Sequence, residues 1–182
     1  MIECLVGSEM CIRDRHCFVR AAVTHRGEAL IYAQGGLRSD RAIVLAAVTQ
    51  NGRALYYAQG DLSSNPFIVL AAVTRDGSAL QFAEGGLKSN LDIVLAAVRE
   101  DGDALQFAEG NLRSHRVIVL AAVTQNGDAL SWAQGGLRYN RAIVLAAVTQ
   151  DGHALAYAPG GTAGLQTDRE IVLAAVEQDG RA

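Results

Sequence analysis

The side chains that most readily bind metals or act as nucleophiles are few among the 182 residues of this sequence. The histidines lie at unrelated positions, with no cysteine or carboxylate at the spacing of a metal-ligand set: His16, His25, His115 and His153. All three cysteines precede residue 18, so they give no disulfide framework to the rest of the chain. No Ser, His and Asp set and no pair of carboxylates stands out from the other polar residues. We therefore predict no catalytic residue, no metal site and no cofactor, and expect that the protein is not an enzyme.

Basic residues form the clearest pattern with a chemical meaning. Half of the 16 lysines and arginines lie in one short stretch of a recurring unit, and we call them the basic ridge: Arg38, Arg41, Lys88, Arg113, Arg116, Arg138, Arg141 and Arg169. If the unit stacks, the ridge lies beside helix N-termini, whose dipoles favour anions, and it could bind nucleic acid or an acidic protein segment. The alternative is a solvated turn in which these side chains cover apolar surface and pair with neighbouring Asp or Asn residues.

The overall charge argues mildly against nucleic acid as the partner. The formal net charge is −3 and the pI is near 5.8, whereas nucleic-acid-binding domains are more often strongly basic. Charges of both signs are also mixed along the chain. We therefore expect a protein partner and keep nucleic acid as the alternative.

The recurring unit is 25 residues long. The motif Ile-Val-Leu-Ala-Ala-Val recurs at this spacing and begins at Ile43, Ile68, Ile93, Ile118 and Ile143. It returns after 28 residues at Ile171, and a degraded copy begins at Phe18. The three additional residues fall between Pro159 and Asp168, and insertions in solenoids are usually found in loops.

The segment from Asp40 to Asn51 has the pattern of a short α-helix. Asp40 and its equivalents are Asp or Asn in every copy except one, where His115 stands, and such side chains accept hydrogen bonds from a first helical turn. Gly52 lies where the end of a helix favours a left-handed residue. The apolar positions from 43 to 48 cover roughly 200° of the helix circumference, which requires neighbours on two sides.

The segment from Arg53 to Gln59 distinguishes a helix from a strand. Positions 54, 55, 57 and 58 share one face of a helix, while position 56 points away. Position 56 varies between copies, whereas 54 and 58 stay alanine, although a strand would place all three on one side. The alternative is a β-hairpin repeat in which Asn51 and Gly52 form a type I′ turn.

These patterns predict an all-α fold, an α-solenoid of about six 25-residue repeats with two helices each. One repeat cannot bury its apolar surface alone, so stability comes from contacts between neighbours. The predicted core combines one leucine and one aromatic residue per repeat: Leu45, Leu70, Leu95, Leu120, Leu145, Tyr57, Phe82, Phe107, Trp132 and Tyr157.

The consensus Leu-x-x-Asp-Arg-x-Ile-Val-Leu-Ala-Ala-Val-x-x-Asn-Gly-x-Ala-Leu-x-Tyr-Ala resembles the repeat known as domain of unknown function 4116. The resemblance extends from about Phe18 to the end of the chain and is most specific at 37–58, 137–158 and 168–180. It implies tandem helical repeats of microbial proteins, with no enzyme activity and no cofactor. Arg20 departs from the pattern because it stands where the repeat has leucine.

The first fifteen residues do not fit the repeat. The segment from Leu5 to Arg15 resembles a translated sequencing-library adapter, so we interpret 1–15 as non-native and 16–182 as a single helical repeat domain truncated at both ends. A lost native start leaves the localisation undetermined, and we expect an intracellular protein. The longest apolar runs are about seven residues, short of the ~20 that span a bilayer, so no membrane insertion is expected.

The sequence therefore favours a non-enzymatic helical repeat scaffold for protein–protein interaction. Its ligand surface is expected at the variable positions 49 to 53, 56, 59 and 63 to 67 and their equivalents. The alternative function is nucleic-acid or anion binding through the basic ridge.

Overall fold

The computed structural model describes residues 8–160 and 164–179, and helices connected by turns account for both ranges, without a strand. The α-helices are α1 (Ser8–His25), α2 (Arg41–Gln50), α3 (Pro66–Val73), α4 (Leu91–Glu100), α5 (Arg116–Gln125), α6 (Arg141–Gln150) and α7 (Arg169–Asp179). Long 3₁₀ helices follow α1 to α6 at Gly27–Tyr32, Gly52–Tyr57, Gly77–Phe82, Gly102–Phe107, Gly127–Trp132 and Gly152–Tyr157. Short 3₁₀ turns precede α2 to α7 at Leu37–Ser39, Gly60–Ser64, Leu87–Ser89, Leu112–Ser114, Leu137–Tyr139 and Leu165–Thr167.

The repeats stack in two layers, one of α-helices and one of long 3₁₀ helices. Each α-helix contacts the α-helices before and after it, and each long 3₁₀ helix contacts its own neighbours in the same way. The all-α solenoid is thus confirmed, and the β-hairpin alternative is wrong. The boundary expected at residue 15 falls inside α1, and whether the preceding residues are native stays a prediction.

The second helix of each repeat is a 3₁₀ helix because a single extended residue joins it to the α-helix. Asn51 (φ −144°, ψ 112°) donates its backbone N–H to the Ala47 carbonyl at 2.9 Å and accepts the Arg53 N–H on its side chain at 3.0 Å. A 3₁₀ helix has about three residues per turn, so positions 53 and 56 share its outer face. Arg53 and Tyr56 are exposed, as the variability at position 56 indicated.

Gly52 and its equivalents do not have the left-handed conformation that the sequence suggested. Their role is close packing: a Cβ at Gly52 would lie 2.3 Å from the carbonyl oxygen of Ala72 in the next α-helix. Equivalent distances, 2.4 to 2.6 Å, are found at Gly27, Gly77, Gly102 and Gly127. The left-handed glycines lie instead in the turns before α2 to α6, for example Gly36 with φ 81°.

A glutamine at the end of some α-helices connects its repeat to the preceding one. Gln125 accepts the Gly102 N–H on Oε1 at 2.6 Å and donates Nε2 to the Glu100 carbonyl at 3.2 Å. Gln150 makes the same pair of bonds, to the Gly127 N–H and to the Gln125 carbonyl. These bonds fix the register of α5 and of α6 against the repeat before it.

A second set of bonds joins the repeats at the opposite edge. The backbone N–H of Gln59, Glu84, Glu109 and Gln134 donates to a carbonyl in the preceding repeat, in each case at 2.9 Å. The acceptors are Arg38, Ser63, Lys88 and Arg113. The steps from α4 to α5 and from α5 to α6 are therefore bonded at both edges.

The core differs from the prediction. Its α-helical part consists of the isoleucine, both valines and the second alanine of each motif, as in Ile43, Val44, Ala47 and Val48, each at most 2% exposed. The long 3₁₀ helices contribute alanine and leucine, as in Ala104 and Leu105.

The predicted leucine and aromatic columns lie at the margin of this core. Leu45, Leu70 and Leu120 are 38–39% exposed, so placing these three leucines in the core was wrong, whereas Leu95 and Leu145 pack partly buried against it. The apolar arc of each α-helix is wider than the surface that its neighbours cover. The core prediction was also wrong for Trp132 and Tyr157, which are 39% exposed. Tyr57, Phe82 and Phe107 pack partly buried against the core.

The α-helices begin with the side-chain caps that the sequence indicated. Asp40 accepts hydrogen bonds from the N–H groups of Ala42 and Ile43, and Asn65, Asn90, Asn140 and Asp168 act in the same way. At α5 the residue is His115, which makes no such bond, and its Nδ1 is buried without a hydrogen-bond partner. This position therefore combines a missing cap with an unsatisfied polar atom.

We predict that Gly102→Ala lowers the free energy of unfolding by about 1–3 kcal/mol, because its Cβ must displace the backbone of α5. The matched control is Gly86→Asn, since Gly86 has φ 74° with no atom within 4 Å of an added Cβ, and asparagine tolerates that conformation. The control should cost less than about 1 kcal/mol. Urea unfolding followed by circular dichroism compares the two, and equal losses would refute the packing explanation.

We predict that His115→Asn stabilises the protein by about 1 kcal/mol, because asparagine supplies the missing cap and removes the buried unpartnered nitrogen. His115→Ala removes the nitrogen without adding a cap and separates the two contributions. The midpoint of thermal unfolding should be higher for His115→Asn than for His115→Ala. An asparagine variant no more stable than the alanine variant would contradict a capping role.

Candidate binding surfaces

The half-exposed leucines form a continuous apolar column on the outside of the α-helical layer. We call them the leucine stripe: Leu45, Leu70, Leu95, Leu120, Leu145 and Leu173. They recur once per α-helix, and their exposure runs from partly buried at Leu95 to 48% at Leu173. In α1 the equivalent residue is Arg20, which is exposed and charged, so the stripe begins at α2. A contiguous apolar column of this kind is typical of an interaction surface, whereas isolated exposed leucines are not.

Residues on either side of the stripe vary between repeats. One helical turn before each leucine stand Ala42, Phe67, Asp92, Val117, Ala142 and Glu170. Phe67 and Val117 are 71% and 56% exposed and widen the apolar surface at α3 and α5. The stripe is thus constant in chemistry, and its flanks differ from one repeat to the next.

The basic ridge separates into two groups of different environment. The first group follows the leucine of each short 3₁₀ turn: Arg38, Lys88, Arg113 and Arg138. The Nε of Arg38, Arg113 and Arg138 donates to the carbonyl at the end of the preceding long 3₁₀ helix, at 3.0, 2.9 and 3.0 Å. Arg38 and Arg113 also donate to a second carbonyl, of Ile31 and Gln106 respectively. These guanidinium groups donate hydrogen bonds to carbonyl groups at the C-terminal end of a long 3₁₀ helix and stabilise the negative end of its dipole.

Gln166 shows which property this position requires. It stands where other repeats have arginine, and its Nε2 donates to the Ala158 carbonyl at 2.9 Å. A neutral amide thus makes the same bond, so the position requires a hydrogen-bond donor rather than a charge.

The second group lies at the first residue of an α-helix: Arg41, Arg116, Arg141 and Arg169. The guanidinium of Arg41 lies 6.0 Å from the ring centre of Phe67, a cation–π contact with the next repeat. Arg141 donates to Asp168 Oδ2 at 2.8 Å and to Glu170. Arg116 and Arg169 are exposed. The sequence could not show that five of the eight residues contact other parts of the chain.

The Arg141 cluster spans the longer step between α6 and α7. Its hydrogen bond lowers the pKa of Asp168, and the bonds that Asp168 accepts from the Ile171 and Glu170 N–H groups lower the pKa further. The pKa of Arg141 rises correspondingly. Asp168 is also the N-cap of α7, so one carboxylate both begins this helix and ties it to the preceding repeat.

Aromatic side chains form a smaller cluster on the 3₁₀ layer. The Tyr56 ring centre lies 5.2 Å from that of Tyr57 and 5.2 Å from that of Phe82 in the next repeat. An open pocket of about 310 Å³ adjoins this cluster, with Glu84 and Lys88 also on its wall. Ser63 donates to Glu84 at 2.7 Å, so an acidic side chain is already engaged there.

In the part of the chain that the structure describes, no three His, Cys, Asp or Glu side chains are grouped closely enough to hold a metal ion. None of the described helices combines the length and the apolar character needed to cross a bilayer.

The comparisons with known proteins give a single match. A family model described as "Domain of unknown function (DUF4116)" matches the chain at residues 17–63, 65–113, 90–134, 118–161 and 140–182. Together these matches cover nearly all of the helical array. No curated protein and no solved structure matches the chain.

We predict that acidification loosens α7 before the middle of the array. The depressed pKa of Asp168 means that its contribution is complete above the ordinary aspartate value of about 3.9 and is lost as the pH falls through the lower folded-state value. Hydrogen exchange of α7 amides, corrected for intrinsic rates and compared with α5, should show this loss. Asp168→Asn keeps the cap but not the charge, so its α7 should be less protected at neutral pH and change less on acidification. An identical pH response in both proteins would contradict the assignment.

Proposed function

The chain belongs to the family of the domain of unknown function (DUF4116), and we propose that it is a non-enzymatic scaffold that binds other proteins along the leucine stripe. The observation that carries the proposal is the exposure of these leucines, 38–48% at Leu45, Leu70, Leu120 and Leu173, on adjacent helices of one layer. Water contacts this apolar surface unless a partner covers it. A partner with an apolar face of its own would remove it from water.

Specificity would come from the residues beside the stripe. The positions equivalent to 42 and 49 change from alanine or threonine to Phe67, Asp92, Arg99 and Glu177 along the array. All four lie at variable positions that the sequence favoured as a ligand surface, equivalent to 67 or to 49. The partner would thus meet a constant apolar line and a changing polar or aromatic border.

Nucleic acid is the less favoured partner. Arg38, Arg113 and Arg138 donate to carbonyls of their own repeats, and Arg141 is paired with two carboxylates. To contact a phosphate, these side chains would have to exchange hydrogen bonds that they already make. The basic ridge therefore offers fewer available cations than its sequence suggests.

The experiment selects binders from a displayed library of random peptides and measures them on two variants of equal charge. Leu70→Lys with Leu120→Lys interrupts the stripe, because the lysine stem can lie along the surface but its ammonium repels an apolar partner. Gln59→Lys with Gln81→Lys adds the same charge at exposed positions away from it. Circular dichroism verifies that both variants keep the helical fold.

We expect selected peptides to carry apolar residues at helical spacing and to bind the stripe variant at least about tenfold more weakly, a change of about 1.4 kcal/mol, than the control. Equal binding to both variants would refute the leucine stripe. Single- and double-stranded DNA are titrated in parallel at low salt. DNA binding that declines steeply as the salt concentration rises, and that is lost when Arg41 and Arg116 are replaced, would favour the nucleic-acid alternative instead.

A further inference from the structure

The step between α6 and α7 departs from the others at Tyr139, at Pro159 and in the length of the chain between Pro159 and Asp168. In the regular steps a serine of the short 3₁₀ turn packs beneath a left-handed glycine of the next repeat. An added Cβ on Gly85 would lie 2.9 Å from Ser64 Cβ, and on Gly135 2.7 Å from Ser114 Cβ. The residue in this place before α6 is Tyr139, which is 70% exposed. The phenol ring of Tyr139 is too large for the space that a serine side chain fills in the regular steps. The turn of the next repeat therefore cannot pack against this position as the glycine turns do.

Pro159 removes the hydrogen bond that would otherwise close this step. Its counterparts Gln59, Glu84, Glu109 and Gln134 each donate a backbone N–H to the preceding repeat. Proline has no N–H, so the carbonyl of Arg138 loses the donor that its four counterparts have. The three additional residues lie between Pro159 and Asp168 in the sequence. Tyr139, Pro159 and the insertion are thus three parts of one change.

The opened step contains a pocket of about 470 Å³ whose wall includes Tyr139, Tyr157, Pro159, Gln134 and Arg138. Arg138 differs here from its counterparts. Arg38 and Arg113 are half-buried and reach a second carbonyl, whereas Arg138 is exposed and, within the described ranges, is bonded to Ala133 alone. The pocket therefore combines two tyrosine rings, a guanidinium with available donors and a carbonyl that lacks its usual donor.

We propose that this opened step binds an extended, acidic peptide segment of another protein. A backbone N–H of the segment donates to the Arg138 carbonyl, in place of the N–H that proline lacks. A carboxylate next to it pairs with the Arg138 guanidinium, whose planar fork matches two oxygens. An apolar side chain of the segment packs between Tyr139 and Tyr157, since aromatic rings provide large, rigid contact areas. This site does not involve the leucine stripe and does not depend on it.

The test uses a displayed library of random heptapeptides selected on the whole chain. Pro159→Gln restores the residue found at positions 59 and 134, and with it the missing donor. Arg138→Gln keeps a donor for the Ala133 carbonyl, as Gln166 does for Ala158, but removes the charge. The matched control is Arg113→Gln, the same substitution in a regular repeat. Circular dichroism and thermal unfolding verify that all three variants remain folded.

The expected result is a set of acidic heptapeptides with at least one apolar residue, bound at least about tenfold more weakly by Arg138→Gln and by Pro159→Gln than by Arg113→Gln. Selection that yields no acidic peptide would overturn the proposal, as would peptides that distinguish none of the three variants. Peptides that lose binding only on Leu70→Lys with Leu120→Lys would likewise overturn it and would support the leucine stripe. Loss on the Arg138 and Pro159 variants with normal binding to the stripe variant supports this site independently.

Discussion

The array depends on one close contact, found at five of its steps, in which the glycine at the start of a long 3₁₀ helix lies against a carbonyl of the next α-helix. At Gly52 an added Cβ would come within 2.3 Å of that oxygen. The contact sets the separation of neighbouring repeats, and the small residues around it follow from that separation. Ala47, Ala54 and their equivalents are fully buried because larger side chains would force the two layers apart. Gln125 then accepts a hydrogen bond from the N–H of one such glycine, Gly102, and donates to a carbonyl of the preceding α-helix.

Much of the fold could be predicted from the sequence because the 25-residue period, the caps and the apolar spacing all indicate the same structure. Asp40 and Asn65 mark helix starts through their own side chains, and His115 stands out because it lacks that ability. The tighter winding of the second helix could not be inferred. It follows from the single extended link at Asn51 and from contacts with the next repeat, neither of which is visible in local spacing.

The candidate sites were less predictable, since they depend on what the backbone leaves uncovered. The sequence grouped the basic ridge correctly but could not show that Arg38 and Arg113 donate to carbonyls of their own repeat. The leucines were assigned to the core because leucine is usually buried and the apolar arc of about 200° indicated neighbours on two sides, but the neighbouring helices leave Leu45, Leu70 and Leu120 exposed. Tyr139 left a signal that an alignment of the repeats could have detected, because serine stands there at Ser39, Ser64, Ser89 and Ser114.

The link at Asn51 has no spare length. One residue ends an α-helix and caps the next helix, so this edge of each repeat cannot stretch or absorb added residues. The glycine turns at the other edge can do both, and the 28-residue step is the instance in this chain. Any curvature of the array must therefore come from a change in the distance between neighbouring repeats at the glycine turns, while the distance at the Asn51 links stays constant.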